Sequence, residues 1–167
     1  MIGNVVVTKH FRAAPASFDA IPHIAANLRE GDRLEIERFY NKPPENVLHD
    51  SLEQSIMSWM AWDANGVPVA LWGASKFRNP DDGVLYGVPW LLGTDAIGES
   101  YGDFLRLSRH FDTIMSRWFF GLANAVDAEY DGALRWLEWL GFQRGDTITT
   151  PGGHDFILMY KDTRDVR

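Results

Sequence analysis

The fold of this chain is decided by residues 122–142, which read LANAVDAEYDGALRWLEWLGF. The first part, Leu122–Ala128, is short and apolar, which predicts a buried strand. The residues after it carry apolar side chains at helical spacing up to Leu140, and Gly141 suits the left-handed conformation that ends many helices. A buried strand followed closely by a helix predicts an α/β architecture.

The sequence upstream predicts another helix and a run of strands. Apolar side chains recur at helical spacing from Phe104 to Trp118, as in an amphipathic helix. Three consecutive strands are predicted before it, at Ile56–Trp62, Val67–Phe77 and Val84–Leu92. The residues 63–66, Asp-Ala-Asn-Gly, predict a hairpin between the first two strands. Pro89 cannot donate a ladder hydrogen bond, so the pairing of the third strand must break near it.

The two ends of the chain complete the order of elements. A first strand is predicted at Val5–Phe11. Three helices are predicted after it: one capped by Ser17 or Asp19, one capped by Asp32 and one that begins at Pro44. Two last strands are predicted at Gln143–Ile148 and His154–Lys161. The order β, helices, β-β-β, α, β, α, β-β predicts an α/β (α+β) class, as one domain over residues 1–167.

Composition excludes several classes of function. Of the 167 residues 46% are hydrophobic and 23% are charged, which is typical of a soluble globular chain. The absence of cysteine excludes disulfides, thiolate nucleophiles and zinc–thiolate sites, and the five histidines lack metal-ligand spacing, so no metal is expected. A net charge of −7 disfavours nucleic acid and anionic membranes as partners. An anionic cofactor would therefore need a local cluster of donors.

The segment that ends in Leu140-Gly141-Phe142 resembles the fifth strand and fourth helix of GNAT-type acyltransferases, which end in an apolar residue followed by Gly-Phe. The resemblance extends in pattern over residues 30–145. Four shorter stretches look like a phage-encoded GNAT-like group that includes internal virion proteins of short-tailed phages. These are WLLGT at 90–94, FLRLSR at 104–109, NAVD at 124–127 and RWLEWLGF at 135–142.

The resemblance implies a mixed, mostly antiparallel sheet of about six or seven strands flanked by helices, with splayed fourth and fifth strands. An acyl-CoA, acetyl-CoA or a longer one, lies between these strands in the family. Its pyrophosphate binds at the N-terminus of the next helix, here within residues 93–103. The implied cofactor-binding residues are Trp90, Leu91, Leu92, Gly93, Thr94, Arg106, Arg109 and Asn124, and the implied substrate-binding residues are Ser55, Ser108 and Tyr130.

The chain departs from the enzymes where the chemistry is decided. Residues 93–102 do not fit the usual phosphate loop, Gln/Arg-x-x-Gly-x-Gly/Ala. Asp95, Glu99 and Asp103 place carboxylates where a pyrophosphate needs donors. The tyrosine that often serves as general acid aligns with Leu137, which cannot protonate a thiolate, and the usual asparagine aligns with Tyr130.

Each candidate residue also has a structural interpretation. Glu35 is the candidate general base, but it also fits a capping box with Asp32, and we favour the capping role. Arg106 and Arg109 lie on one helical face, where they bind either an anion or Asp103 and Asp112. Trp90 also fits a packing role, Thr94 and Ser108 fit hydrogen bonds to the backbone, and Asn124 fits a bridge between the splayed strands.

Two functions therefore compete at this stage. The first is an N-acyltransferase in which a substrate amine attacks the thioester directly. The second is a non-catalytic phage protein, either a virion component or a protein that binds a host factor, in the host cytoplasm or in the virion. The lost phosphate loop and the missing tyrosine favour the second at the level of chemistry. The sequence leaves open whether the chain is an enzyme and what its oligomeric state is.

Overall fold

We describe residues 5–166 in a computed structural model of the chain. The helices are α1 Ile21–Ala26, α2 Glu30–Tyr40, α3 Pro44–Gln54, α4 Ala96–Glu99, α5 Tyr101–Trp118 and α6 Asp131–Trp139. The strands are β1 Val6–Val7, β2 Arg12–Pro15, β3 Met57–Trp62, β4 Pro68–Arg78, β5 Leu85–Gly93, β6 Gly121–Asp127, β7 Gln143–Thr149 and β8 Asp155–Asp162. Short 3-10 turns lie at Phe18–Ala20 and Arg164–Val166.

In the described part of the chain, eight strands form one sheet in the order β1-β2-β3-β4-β5-β6-β8-β7. Neighbouring strands are antiparallel except for β5 and β6, which are parallel. The predicted class, a mixed and mostly antiparallel sheet flanked by helices, is confirmed. Within residues 5–166, no helix is both long enough and apolar enough to cross a membrane.

The sheet has more strands than the six or seven expected. The additional strand comes from the N-terminal segment, where one strand was predicted over Val5–Phe11. The chain turns back between Thr8 and Phe11 instead, because each of these residues donates its backbone N–H to the other: Thr8 to the carbonyl of Phe11, and Phe11 to the hydroxyl of Thr8. The residues after the turn, Arg12–Pro15, then pair with β3. The prediction of a single strand was therefore wrong in this segment.

Alternating side chains give the sheet an apolar core on each face. Trp59 of β3 and Trp72 of β4 lie opposite each other and face α5, with their ring centroids 4.7 and 4.9 Å from that of Phe111. Their neighbours Met60 and Leu71 are buried on the other face, against α1 and α3. Helices α5 and α6 thus cover one face of the sheet and the first three helices contribute to the other.

Strands β5 and β6 diverge, as the resemblance implied for the fourth and fifth strands. They pair only at Tyr86 with Gly121 and at Gly87 with Leu122. At this junction a Cβ on Gly87 would lie 2.5 Å from the ring of Phe119, so glycine is needed for the close approach. Pairing of β5 with β4 continues to its end, and the break that Pro89 predicts therefore falls on the β6 side.

Candidate functional site

The divergence of β5 and β6 opens a cleft of about 240 Å³. Pro89, Trp90 and Leu91 line it from β5, and Asn124 and Val126 line it from β6. Aromatic and aliphatic side chains of α5 and α6 form one wall. The side chains of Arg29, Asp32, Glu35 and Tyr130 form the opposite, polar end. The cleft therefore joins an apolar side of the sheet to a small cluster of ionisable groups.

Every second residue of β5 turns its backbone polar groups toward the cleft. The Pro89 carbonyl accepts a hydrogen bond from Asn124 Nδ2 at 2.6 Å, which shows that this residue turns its backbone toward β6. Gly93, four residues on, turns the same way: its N–H donates to Asp32 Oδ2 and its carbonyl accepts from the N–H of Arg29, both at 2.9 Å. Strand alternation therefore points the N–H and C=O of Leu91 into the cleft between these two contacts.

Asp32 is the most heavily bonded of the ionisable groups. Its side chain is almost fully buried and binds Arg29 Nε and Nη2 at 2.9–3.0 Å, in the bidentate geometry of a strong ion pair. It also accepts from the Tyr130 hydroxyl at 3.1 Å. Burial raises the pKa of Asp32, but the donors on Arg29, Gly93 and Tyr130 favour its ionised form. This carboxylate thus ties α2 to β5 and to the start of α6.

Glu35 lies one helical turn beyond Asp32 on α2. Its Oε2 accepts a hydrogen bond from the N–H of Asp127 at the end of β6, at 3.0 Å. Burial raises the pKa of Glu35 to about 7, and the negative charges of Asp32 and Asp127 add to the rise. The favoured capping role is wrong, because α2 begins at Glu30 and runs through Gly31, so neither carboxylate caps it.

Burial also raises the pKa of Tyr130, and the nearby charge of Asp32 adds to the rise. Its ring lies against Gly31, where an added Cβ would come within 2.3 Å of Cζ. The ring and hydroxyl of Tyr130 are thus fixed at the polar end of the cleft, where the resemblance implied a substrate-binding role.

The apolar wall of the cleft is built around α5 and α6. Ser108 of α5 donates its hydroxyl to the Phe104 carbonyl and accepts from Trp136 Nε1 of α6 at 3.2 Å. The Phe104 and Trp136 rings lie 5.4 Å apart, with Tyr101 next to Phe104. Ser108 thus lines the cleft, as expected, and its hydroxyl also holds the two helices together.

Several residues implied by the resemblance lie away from the open space. Arg106 binds Asp103 at 3.1 Å, and Arg109 stacks on the ring of Trp139 at 4.3 Å. Neither arginine is among the described residues that line the cleft. Leu92 and Thr94 are buried, and Thr94 donates its N–H to Val69. The Ser55 hydroxyl is engaged behind Trp90, whose indole N–H it accepts at 2.8 Å.

The turn that precedes α5 combines open backbone with exposed acids. Gly98 and Gly102 have no heavy atom within 4 Å of an added Cβ, so a ligand can approach the backbone there. Asp95 and Glu99 are exposed, and neither has an ion-pair partner among residues 5–166. Asp103 does not join them, contrary to expectation. Its carboxylate is buried and bonded to His10, whose contacts lower its pKa despite the opposing effect of burial.

Arg29, Asp32 and Asp127 belong to the polar cluster but were not identified as site residues from the sequence. A signal was present: Arg29, Asp32 and Glu35 are spaced three residues apart, which places them along one face of a helix. That signal was missed because Gly31 was interpreted as a break and Asp32 as a cap. Asp127, buried against Arg38 at 2.8 Å, had no sequence signal of its own.

Solved structures provide an independent comparison, whereas no protein-family model and no curated protein sequence matches this chain. A ribosomal-protein-S5-alanine acetyltransferase from Vibrio fischeri superposes with a TM-score of 0.69 at 15% identity, covering 98% of this chain and 99% of its own. A GNAT superfamily phosphinothricin acetyltransferase from Sinorhizobium meliloti, in complex with acetyl-CoA, gives 0.70 at 16% identity, covering 90% and 86%. YncA from Salmonella typhimurium, with its cofactor acetyl-CoA, gives 0.70 at 13% identity, covering 93% and 95%.

The TM-scores of 0.69–0.70 show the fold, whereas identities of only 13–16% leave the reaction to be argued from the site. The likeness extends over nearly the whole chain, and the diverging strands and the order of elements agree with it. The chain therefore has the fold of the GNAT superfamily acetyltransferases.

Proposed function

We propose that this protein is an acyl-CoA-dependent N-acyltransferase. The observation that carries the proposal is the open cleft between β5 and β6, which has a free backbone edge at Leu91 and a partly buried carboxylate, Glu35, at its polar end. When bound, acyl-CoA supplies an activated thioester. The residues of the chain would position it, stabilise the charge that develops on its carbonyl oxygen and accept a proton from the amine.

The cleft fits an acyl thioester on a pantetheine arm. Its walls are mainly apolar, and the Leu91 peptide group points into it, so a flexible chain with amide groups can pack and form hydrogen bonds there. The Leu91 N–H is also suited to stabilise a developing oxyanion, because it is fixed by the β4–β5 ladder. At the other end, Gly102 lies in the first turn of α5, where its uncrowded backbone N–H can reach a phosphate.

Glu35 would act as the general base. Its carboxylate takes the proton that the amine releases as the nitrogen bonds to the acyl carbon and the C–S bond breaks. The thiolate leaves and takes a proton from water. A pKa of about 7 suits this role, since a base is most effective when its pKa lies near the working pH. The other groups that face Glu35 are Arg29, Asp32, Tyr40, Asp127 and Tyr130.

Calorimetric titration tests the binding half of this proposal. Acetyl-CoA, octanoyl-CoA and free CoA are titrated into the protein at low salt, and release of free thiol is then followed with a panel of primary amines. We expect saturable binding near micromolar dissociation constants, roughly −8 kcal/mol. We also expect turnover that Glu35→Gln lowers by roughly 100- to 10,000-fold without loss of binding. Flat titrations for all three compounds, with no thiol release, would overturn the proposal.

A second candidate is a non-catalytic protein that uses the same fold, as in the phage group that the sequence resembles. The exposed carboxylates Asp95 and Glu99 favour it, because they oppose a pyrophosphate at the start of α5. Its partners would be host or virion proteins. Flat titrations together with capture of the chain by purified phage particles or by one host protein would support this function.

A further inference from the structure

The edge of β5 that faces the cleft is closed at two points by side chains. Asn124 occupies the Pro89 carbonyl, and Asp32 occupies the Gly93 N–H. Arg29 closes the Gly93 carbonyl through its own backbone N–H. Between these contacts, in the part of the chain that the structure describes, Leu91 alone turns its peptide groups into the cleft. The free edge of the strand is thus one residue long.

Asp32 sets the inner end of this free edge. It is bonded at once to Gly93, to Tyr130 and to Arg29, so α2, the tip of β5 and the start of α6 are held in one arrangement. Glu35 follows on the same face of α2, and its carboxylate is fixed by Asp127. A movement of Asp32 would therefore shift both the base and the boundary of the backbone edge.

We infer that Asp32 is a positioning residue, which confines the acyl group to the Leu91 peptide and holds Glu35 beside it. The inference rests on the proposed function. Asp32 does not touch the reacting atoms in this scheme, because its oxygens are already engaged by Arg29, Gly93 and Tyr130. A displacement of about 1 Å at a reacting centre lowers turnover by roughly 100-fold, so the position of this carboxylate matters.

Asp32 also acts on Glu35 through charge. The groups that face Glu35 are Arg29, Asp32 and Tyr40 on its own helix, Asp127 at the end of β6 and Tyr130 at the start of α6. The negative charge of Asp32 favours the protonated form of Glu35. Neutralising Asp32 while keeping its shape should therefore let Glu35 ionise at lower pH, an effect that a purely structural role would not produce.

Two substitutions at one position separate these effects. Asp32→Asn keeps the size and removes the charge, whereas Asp32→Glu keeps the charge and displaces the contacts. We expect both variants to lose roughly 100-fold in kcat. Only Asp32→Asn should move the acid limb of the kcat/KM profile to lower pH. Glu37→Gln, an exposed charge removal on the same helix, is the control and should leave both quantities unchanged.

Amide exchange of the wild-type protein, followed by NMR, tests the same inference without a variant. The Gly93 amide should be protected in the free protein, whereas the Leu91 amide should exchange roughly tenfold faster and become protected when acetyl-CoA is added. A Leu91 amide that is protected beforehand, or that saturating acetyl-CoA leaves unchanged, would overturn the inference. An Asp32→Asn variant with wild-type turnover and acid limb would overturn it as well.

Failure of the proposed function has a different signature. In that case neither the wild-type protein nor the Asp32 variants bind acetyl-CoA or release thiol. If binding and turnover are present and the Asp32 variants behave like Glu37→Gln, the function stands and the positioning role fails.

Discussion

Glu35 is the residue on which the proposed chemistry depends most directly. Because its pKa is raised to about 7, the base form accumulates as the pH rises through 7. We expect kcat/KM of the wild type to rise over that range and then level off. Glu35→Gln should lower it by roughly 100- to 10,000-fold and remove this limb. Initial rates of thiol release between pH 5.5 and 9 test this, and an unchanged limb in the variant would exclude Glu35 as the base.

The same carboxyl group predicts how stability depends on pH. Its pKa is higher in the folded chain than the ordinary 4.5, so folding favours the protonated form. The stability it contributes is fully present below about pH 4.5 and is lost as the pH rises through about 7. Urea unfolding should therefore show wild type losing stability relative to Glu35→Gln between these values. A difference that does not change with pH would contradict the raised pKa.

Gly31 is required by the position of the Tyr130 ring. An added Cβ would lie 2.3 Å from Cζ of that ring, whose hydroxyl is held by Asp32. Gly31→Ala should therefore displace Tyr130 and destabilise the fold by about 1–3 kcal/mol, although alanine is the better helix former. Gly132→Ala on α6 is the matched control, because its Cβ would meet the same ring at an ordinary 3.7 Å. Equal unfolding midpoints for the two variants would contradict this account.

At the scale of elements, the turn between β5 and α5 determines how well an anion can bind. Asp95 and Glu99 are exposed there, and each should repel a pyrophosphate. Glu99→Lys and Asp95→Lys should each tighten acetyl-CoA binding by roughly 2- to 5-fold at low salt. The gain should shrink at about 0.15 M salt, where the screening length is about 8 Å. Glu45→Lys carries the same charge change on α3, and a similar gain there would remove the local explanation.

The strands and helices of the second half were predictable from the sequence because their signals are local. The apolar run of β6, the helical spacing of α6 and Gly141, which adopts a φ of 97°, each depend on a few adjacent residues. The N-terminal hairpin was not predictable in the same way. Its turn depends on the hydroxyl of Thr8 reaching Phe11, and β2 is ordered by pairing with β3 some 45 positions later.

The candidate site was predictable from the sequence only in part. Glu35 was a candidate base and does line the cleft, but the capping role was favoured for it, and its role as base stays a prediction. Asn124 was also interpreted as a bridge between the strands, which its bond to Pro89 bears out. The role of Asp32 depends on Gly93 and Tyr130, which are 61 and 98 residues away in sequence. Such contacts leave no periodic pattern, and a glycine before Asp32 suggested a break in a helix that tertiary packing keeps intact.

At the scale of the whole molecule, the two halves of the sheet are joined by only two parallel pairs between β5 and β6. Because this junction is so short, side-chain contacts with α5, which packs on one face of the sheet, must help to hold the C-terminal strands in place. Lys161 of β8 provides this link: its Nζ binds Asp112 of α5 at 2.7 Å and the Leu140 carbonyl at the end of α6 at 2.8 Å. The cleft can stay open at one end because the other end is held by such contacts.

The Lys161–Asp112 pair gives a prediction for global stability. Both side chains are largely buried, so Lys161→Met would leave an uncompensated carboxylate and cost about 3–5 kcal/mol in urea unfolding. Burial already raises the pKa of Asp112, and loss of Lys161 should raise it further, so the deficit should shrink as the pH falls. Lys161→Met with Asp112→Leu should recover most of the loss, since Asp112 Oδ1 has no hydrogen-bond partner among the described residues. If the double variant is no more stable than Lys161→Met, the cost comes from packing around the lysine stem and not from the buried charge.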